Sequence, residues 1–186
     1  MNAGLLPTIG KSLFRLRSGT PVPLAIWIIA RSHLSFRTLV SGLPTVAVGL
    51  LFRMWSVAWI GPDSRTRSVD RPEHRVTGGP YRFVKHPLYV ANGILSEGLV
   101  IASGAGRPWL PILFPLIWFL QYGPIMAWEE SQVSDLPTSD CETTSKSERV
   151  RTAWTSERRT RQSVGIMIFL LILSRIIRLF RRRNAT

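Results

Sequence analysis

A run of 20 residues without a charge, residues 109–128, constrains the fold of this chain more than any other feature. A bilayer core needs ~20 apolar residues in a helix, and uncharged runs of that length are rare in soluble domains. Two other runs are nearly as apolar: 39–60, where Arg53 is the only charge, and 88–103, where Glu97 is the only charge. The sequence therefore predicts an all-α, polytopic membrane protein.

Two further hydrophobic segments bring the predicted set to about four to five transmembrane helices. The segment 22–36 reaches the length of a span only by including Arg31 and His33. The segment 164–180 is apolar at first and is then interrupted by arginines. It either crosses the bilayer, with its arginines reaching the headgroups, or lies in the interface as a basic amphipathic helix.

A tight turn predicts a central helical hairpin. Residues 104–108 read GAGRP, and Gly and Pro so close together indicate a turn between two helices that together cover 88–128. Two crossings return the chain to its starting side, so Glu129 and Glu130 are expected on the same face as the preceding loop. That loop, 61–87, carries six Lys and Arg against three Asp and Glu. Short loops rich in Lys and Arg stay inside, so we expect it to face the cytoplasm.

The charge and cysteine content exclude several classes of protein. The chain has 24 Lys and Arg against 11 Asp and Glu, a net charge of +13. Because the arginines follow the ends of the apolar runs, the expected partner is the lipid bilayer and not nucleic acid. A lone cysteine, Cys141, excludes a disulfide scaffold. One Cys and three dispersed His exclude a four-ligand zinc site, and no metal is expected.

The loop before the hairpin concentrates side chains that can bind a ligand. Tyr81, His86 and Tyr89 offer hydrogen-bonding rings beside basic residues. A Gly-Gly-Pro turn precedes them, and Pro87 suits the first turn of a helix whose free N–H groups can take a carboxylate. With the glutamate pair opposite, this set suits a zwitterionic ligand. A second interpretation stays open at this point, namely a basic juxtamembrane loop that touches anionic lipid.

A sequence motif points to one group of enzymes. The stretch from Gly79 to Tyr89 reads GPYRFVKHPLY. It resembles the signature of the isoprenylcysteine carboxyl methyltransferase and phospholipid methyltransferase families. That signature is Gly-x-Tyr, then any three residues, then one residue that is usually Arg, then His-Pro-x-Tyr. It is followed by a helical hairpin that ends in Glu-Glu. Residues 49–55, GLLFRMW, resemble the Gly…Arg-x-Trp stretch of bacterial members. The resemblance covers roughly residues 40–130.

The resemblance implies an integral membrane methyltransferase that uses S-adenosylmethionine. Glu129 and Glu130 would be the catalytic pair, near cofactor and acceptor. The cofactor-binding residues would be Glu73, His74, Arg75, Val76, Gly79, Tyr81, His86, Pro87, Leu88 and Tyr89. Arg53 lies outside this set, within an apolar run, where a charge either faces a cavity or partner or snorkels to the interface. It is the candidate substrate-binding residue.

The implied acceptor is a carboxylate on a lipophilic or prenylated molecule, as in isoprenylcysteine carboxyl O-methylation. Two alternatives stay open. One is N-methylation of an amine such as a phospholipid headgroup. The other is an inactive relative that keeps an anchoring or lipid-interaction role.

The chain departs from the family pattern on the substrate side. The prenylcysteine enzymes have an Arg four residues before the key Glu. The corresponding residues here are Ile125, before Glu129, and Met126, before Glu130, and neither is an Arg. After the glutamate pair, residues 131–163 are rich in Ser, Thr and Arg, as in a solvated linker. Either the tail has diverged or the reading frame shifts there. The predicted division is a methyltransferase core over 1–130, a polar linker over 131–163 and a C-terminal anchor segment over 164–186.

Overall fold

Two antiparallel helices at the centre of the computed structural model position the other elements. Residues 5–17, 19–61, 75–139 and 145–184 are described. Within those ranges the chain forms seven α-helices, a 3-10 helix and two strands of two residues. In chain order they are α1 Leu5–Leu16, α2 Pro21–Ala30, α3 Phe36–Ile60, β1 Arg75–Val76, the 3-10 helix Gly79–Arg82, α4 Pro87–Ser103, α5 Trp109–Val133, β2 Thr138–Ser139, α6 Lys146–Ser156 and α7 Arg158–Arg183.

Local sequence signals begin and end the two central helices, α3 and α4. The Ser35 hydroxyl accepts a hydrogen bond from the Thr38 N–H at 3.2 Å, and the Thr38 hydroxyl accepts one from the Ser35 N–H at 2.9 Å. This reciprocal capping satisfies N–H groups that would otherwise be free at the start of α3. Pro87 opens α4, where its missing N–H costs nothing. Gly104 ends α4 in the left-handed conformation, with φ of 66°.

Helices α3 and α4 touch backbone to backbone because glycines line their contact. A Cβ on Gly98 of α4 would lie 2.5 Å from the backbone nitrogen of Val46. A Cβ on Gly49 of α3 would lie 2.5 Å from the backbone nitrogen of Leu95. Small residues at such contacts are the usual means by which helices associate within a bilayer. The contact fixes α3 and α4 as an antiparallel pair.

The remaining helices pack around this pair. Helix α5 forms the predicted hairpin with α4, where the Trp118 ring lies against Gly93. Helix α1 packs on the second half of α5, with Gly10 against the backbone of Pro124. Helix α6 packs on α3, and α2 contacts α7 near the start of α3. The N-terminal helix α1 therefore packs on the hairpin, and α6 from the C-terminal part of the chain packs on α3.

Within the described residues, three helices are long and apolar enough to cross a membrane, judged by length and composition: α3, α5 and residues 158–181 of α7. This confirms the predicted all-α membrane fold. Helix α4, which contains the run 88–103, is shorter at 17 residues. The apolar part of 22–36 forms the 10-residue α2. The C-terminal hydrophobic segment is part of one continuous helix of 26 residues.

The segment 131–163, which its composition likens to a solvated linker, contains helical structure that packs on the core. It includes the last residues of α5, all of α6 and the first residues of α7. Ala153 and Glu157 are buried there. Composition does not reveal this packing, because α6 is mostly exposed and docks through few side chains. The division of the chain into core, linker and anchor stays a prediction.

We expect Gly98→Ala to destabilise the protein by about 1–3 kcal/mol, because α3 and α4 must separate to admit the methyl group. Gly165→Ala in α7 is the matched control, since a Cβ there meets nothing within 4 Å. The measurement is the thermal unfolding midpoint of each variant in one detergent. A Gly98→Ala midpoint equal to that of the wild type would contradict the close approach of the two helices.

Candidate functional site

The loop before the hairpin and the end of the hairpin meet through polar contacts. Tyr89, in the first turn of α4, donates its hydroxyl to Glu129 Oε1 at 2.6 Å. Lys85 Nζ lies 3.0 Å from Glu130 Oε1, and Arg75 Nη2 lies 3.3 Å from the same oxygen. The structure thus brings both predicted carboxylates against the predicted cofactor loop.

His86 lies between the two carboxylates. Its Nδ1 is 3.7 Å from Glu129 Oε2, and its Nε2 is 3.5 Å from Glu130 Oε2. Both distances are too long for strong hydrogen bonds. Burial lowers the pKa of His86 below its ordinary value of 6.5, although the negative charge of Glu130 opposes the shift. Near pH 7 the ring is therefore neutral, with one nitrogen able to donate and the other able to accept.

The N-terminal helix adds an unpredicted cation to this site. Phe14 of α1 packs on Trp128 of α5, with ring centroids 4.8 Å apart. The guanidinium of Arg17 lies 3.6 Å from the Phe14 ring centroid, a cation–π contact. From there Arg17 Nη1 reaches to 4.0 Å from Glu129 Oε1. The carboxylate of Glu129 therefore has Tyr89 on one side and a guanidinium within ion-pair distance.

The hydroxyl of Tyr81 is buried, and among the described residues it has no hydrogen-bond partner. Burial, followed by the negative charge of Glu129, raises the pKa of Tyr81, so the hydroxyl stays protonated. The positive charge of Arg53 acts on the same hydroxyl in the opposite direction. A buried hydroxyl without a partner costs about 1–3 kcal/mol. A ligand that hydrogen-bonds to Tyr81 would remove that cost.

The glycine turn before Tyr81 packs against protein. Trp59, from the last turn of α3, lies so close to Gly78 and Gly79 that a Cβ on either glycine would overlap its ring. Gly79 has φ of 58°, a conformation that glycine adopts without strain. The guanidinium of Arg149, from α6, lies 4.4 Å from the Trp59 ring. The two glycines therefore allow the backbone of this turn to lie directly against the Trp59 ring.

A short parallel ladder ties the loop to the chain after the hairpin. Arg75 pairs with Thr138 and Val76 with Ser139, and the Arg75 N–H donates to the Pro137 carbonyl at 2.9 Å. The ladder holds Arg75 where its side chain reaches the glutamate pair.

Arg53, the single charge in the apolar run of α3, has two partners inside the protein. Its Nε and Nη2 donate to the two carboxylate oxygens of Glu157 at 2.6 and 3.2 Å. Its Nη1 donates to Asn92 Oδ1 at 2.6 Å. The side chain of Glu157 is 1% exposed and that of Arg53 is 13% exposed. Arg53 is thus held by Glu157, which lies between α6 and α7, so its charge is already paired within the protein.

The predicted cofactor-binding residues follow one another along β1, the glycine turn and the start of α4. Those that the structure describes are Arg75, Val76, Gly79, Tyr81, His86, Pro87, Leu88 and Tyr89. Glu73 and His74 lie outside the described residues. Across residues 5–17, 19–61, 75–139 and 145–184, no group of three His, Cys, Asp or Glu could hold a metal ion.

Sequence reasoning missed Arg17, Trp59, Asn92 and Glu157. For Glu157 a partial signal existed, because a lone arginine in an apolar run needs an anionic partner. Nothing in the sequence separates Glu157 from the other acidic residues of the chain, however. Arg17 and Trp59 carry no motif, and their roles depend on how α1 and α3 pack.

Comparison with known proteins decides the family. A family model described as phospholipid methyltransferase matches residues 37–136, more than half of the chain. The chain belongs to the phospholipid methyltransferase family. The matched range runs from the start of α3 to just beyond α5, so it includes the loop, the hairpin and the glutamate pair. No curated protein and no solved structure matches the chain.

Family and fold together identify an integral membrane methyltransferase, and they confirm the resemblance drawn from the GPYRFVKHPLY motif. Helices α6 and α7 and the residue between them, Glu157, lie outside the matched range. In this phospholipid methyltransferase family member, the carboxylate that pairs with Arg53 is therefore supplied by a part of the chain that the family model does not cover.

The Arg53–Glu157 contact predicts strong coupling between the two positions. We expect Arg53→Gln and Glu157→Gln each to destabilise the protein by about 3–5 kcal/mol, because each removes one charge of a buried ion pair. The double variant should be less destabilised than the sum of the single variants. The measurement is the free energy of unfolding in one detergent.

Glu148→Gln is the control for this experiment, because Glu148 lies on α6 and is exposed. It should change the free energy of unfolding by less than about 1 kcal/mol. Strictly additive effects of the two single variants would show that Arg53 and Glu157 do not interact.

Proposed function

We propose that this protein transfers a methyl group from S-adenosylmethionine to an acceptor held in the bilayer, at a site formed by residues 75–89 and the end of the hairpin. One observation supports the proposal most directly. Tyr89 bonds to Glu129 and Lys85 to Glu130, which joins the two halves of the family motif into one polar cluster. The cluster lies where α4 begins and α5 ends, at the border between apolar helices and polar loop. A lipid-borne acceptor can approach such a site sideways from the membrane.

The described residues suit a cofactor that carries charges of both signs. S-adenosylmethionine, when bound, supplies a methyl group already activated on a sulfonium. The unpartnered hydroxyl of Tyr81 and the neutral ring of His86 can bind its polar groups. The carboxylate of Glu129 and the neighbouring aromatic faces suit its positive charge. The work left to the protein is to orient the acceptor and to exclude water.

The first acceptor we propose is a carboxylate of the isoprenylcysteine type, as the motif resemblance implies. A carboxylate is already ionised, so its methylation needs no base. Lys85, Arg75 and Arg17 surround the glutamate pair. Three cations against two carboxylates, with His86 neutral, leave a net charge of +1 around the pair. That charge favours an anionic acceptor.

The second candidate is an amine on a phospholipid headgroup, which the description of the matched family favours. An amine must lose a proton on methylation, and a carboxylate such as Glu129 can accept it. The Arg that the prenylcysteine enzymes use for their substrate has no counterpart beside Ile125 and Met126. Arg53 is held by Glu157. A carboxylate acceptor would therefore find neither the family's substrate-binding Arg nor an unpaired Arg53.

We further propose that the site faces the cytoplasm, because the loop 61–87 carries twice as many basic as acidic residues, six against three. The cofactor would then arrive from the aqueous side and the acceptor from the bilayer.

Labelled S-adenosylmethionine should bind saturably to the full-length protein in detergent. Tyr81→Phe should weaken this binding about tenfold, through the loss of one hydrogen bond. The same change should leave the unfolding midpoint unchanged or raise it, because it removes a buried hydroxyl that has no partner. Glu148→Gln should bind as the wild type does. No saturable binding by the folded protein would overturn the proposed function and favour an inactive, lipid-interacting relative.

A panel of two acceptors then separates the candidates. The protein is incubated with labelled cofactor and either a farnesylcysteine derivative or phosphatidylethanolamine in matched vesicles. With a carboxylate acceptor, the label should appear as a base-labile ester, and Glu129→Gln should change the rate little once the cofactor is saturating. With an amine acceptor, the label should be base-stable, and Glu129→Gln should lower the rate about a hundredfold. Cofactor binding without label in either acceptor would contradict both assignments.

A further inference from the structure

The end of the molecule opposite the candidate site is strongly basic. Helix α4 leads from the site to this end over 17 residues, which is about 26 Å of helix. The end is built from the stretches 21–44, 98–118 and 165–184. These stretches contain eight arginines and none of the 11 acidic residues of the sequence. These arginines are separated from the glutamate pair by the length of α4. They therefore take no part in the proposed methyl transfer.

A cavity of about 470 Å³ opens among these basic residues. Arg31, His33 and Arg107 line it together with the ring of Trp27. Among the described residues, neither Arg31 nor Arg107 forms an ion pair with a carboxylate, and both are exposed. Two guanidinium groups and an imidazole around one opening are suited to a phosphate group, which arginine binds in a bidentate manner.

Hydrogen bonds join the two backbone segments that line the cavity. The His33 N–H donates to the Ser103 carbonyl at 2.8 Å, which ties the start of α3 to the end of α4. The Ser103 hydroxyl donates to the Val100 carbonyl at 2.7 Å and accepts from the Ala105 N–H at 3.1 Å. Residues 102–105 are buried. The basic side chains therefore extend from two segments that are hydrogen-bonded to each other.

The C-terminal helix adds to the charge at this cavity. Arg178 of α7 donates to the Ala30 carbonyl at 3.3 Å and to the Ser32 hydroxyl, the two neighbours of Arg31. The last turns of α7, which hold a further four arginines, are thereby anchored beside the cavity. None of the contacts of Arg178 supplies a negative charge.

The position of the cavity indicates which phosphate compound it would meet. It lies at the ends of apolar helices, and Trp27 and Trp109 beside it are partly exposed, as is typical of rings at headgroup depth. Ile26 and Ile112 are exposed nearby on α2 and α5 and offer apolar surface for acyl chains. From these observations we infer that the cavity is a binding site for the phosphate of an anionic lipid headgroup, separate from the methyl-transfer site.

Native mass spectrometry of the full-length protein tests this inference. The protein is released from detergent micelles that contain equal amounts of phosphatidylglycerol and phosphatidylcholine with identical acyl chains. The wild type should retain phosphatidylglycerol in preference, because the choline cation of the other lipid is repelled by the arginines. Arg31→Gln/Arg107→Gln should reduce this retention about tenfold or more.

The matched control is Arg158→Gln/Arg159→Gln, which removes two exposed arginines from the start of α7, near the other end of the molecule. It should retain phosphatidylglycerol as the wild type does. Equal loss in both double variants would show diffuse attraction to the surface and overturn the site. Equal retention of both lipids by the wild type would overturn it as well. Unfolding midpoints in phosphatidylcholine alone exclude a folding defect as the cause of any loss.

Competition with inorganic phosphate tests whether the cavity recognises the phosphate group alone or the whole lipid. Displacement of phosphatidylglycerol from the wild type by inorganic phosphate would support recognition of the phosphate group itself. Resistance to displacement would support recognition of the whole lipid. Binding of inorganic phosphate by a wild type that shows no lipid preference would overturn the assignment to lipid. None of these outcomes depends on methyl transfer, so the site and the proposed function can fail separately.

Discussion

The backbone contact between α3 and α4 determines where the other parts of the site can lie. Gly49 and Gly98 allow the two helices to meet without intervening side chains. Because the helices are antiparallel, the end of α3 lies beside the start of α4. Trp59 is thereby placed under the glycine turn, and Arg53 is placed within hydrogen-bond distance of Asn92. A wider spacing of the two helices would separate both contacts.

The buried charge of Arg53 is the second constraint, and the C-terminal part of the chain supplies the residue that pairs with it. An arginine within an apolar helix is expensive in a bilayer unless it is paired. Glu157 supplies the pairing carboxylate from the junction of α6 and α7. The docking of α6 also places Arg149 on Trp59, and the β1–β2 ladder fixes Arg75 near Glu130. The divergent segment after the family match is thus packed against the machinery that the family motif supplies.

The two ends of the molecule differ in how their positive charge is balanced. At the end that carries the candidate site, Lys85, Arg75 and Arg17 all lie near carboxylates. At the opposite end, the arginines face no acidic residue of their own stretches. The first arrangement suits a site that binds and releases charged small molecules. The second suits a surface whose counter-charge comes from outside the protein, and the membrane is the nearest source of anions.

The sequence predicted the features that depend on residues close together in the chain, and it did not predict those that depend on contacts between distant residues. The hairpin 88–128 and the apolar helices were predictable, because hydropathy, length and the Gly-Pro turn act locally. The proximity of Glu129 to Tyr89 was also predictable, since two crossings return the chain to one face. The role of α1 was not, because its cation reaches Glu129 only after Phe14 packs on Trp128.

The sequence by itself determined the membrane class, the central hairpin and the family, since each depends on residues close together in the chain. Only the tertiary structure decided that Glu157 pairs with Arg53 and that Arg178 anchors α7 beside Arg31. These pairings join residues more than a hundred positions apart. Many charged residues could have served in each pairing, and the packing of the helices selects among them.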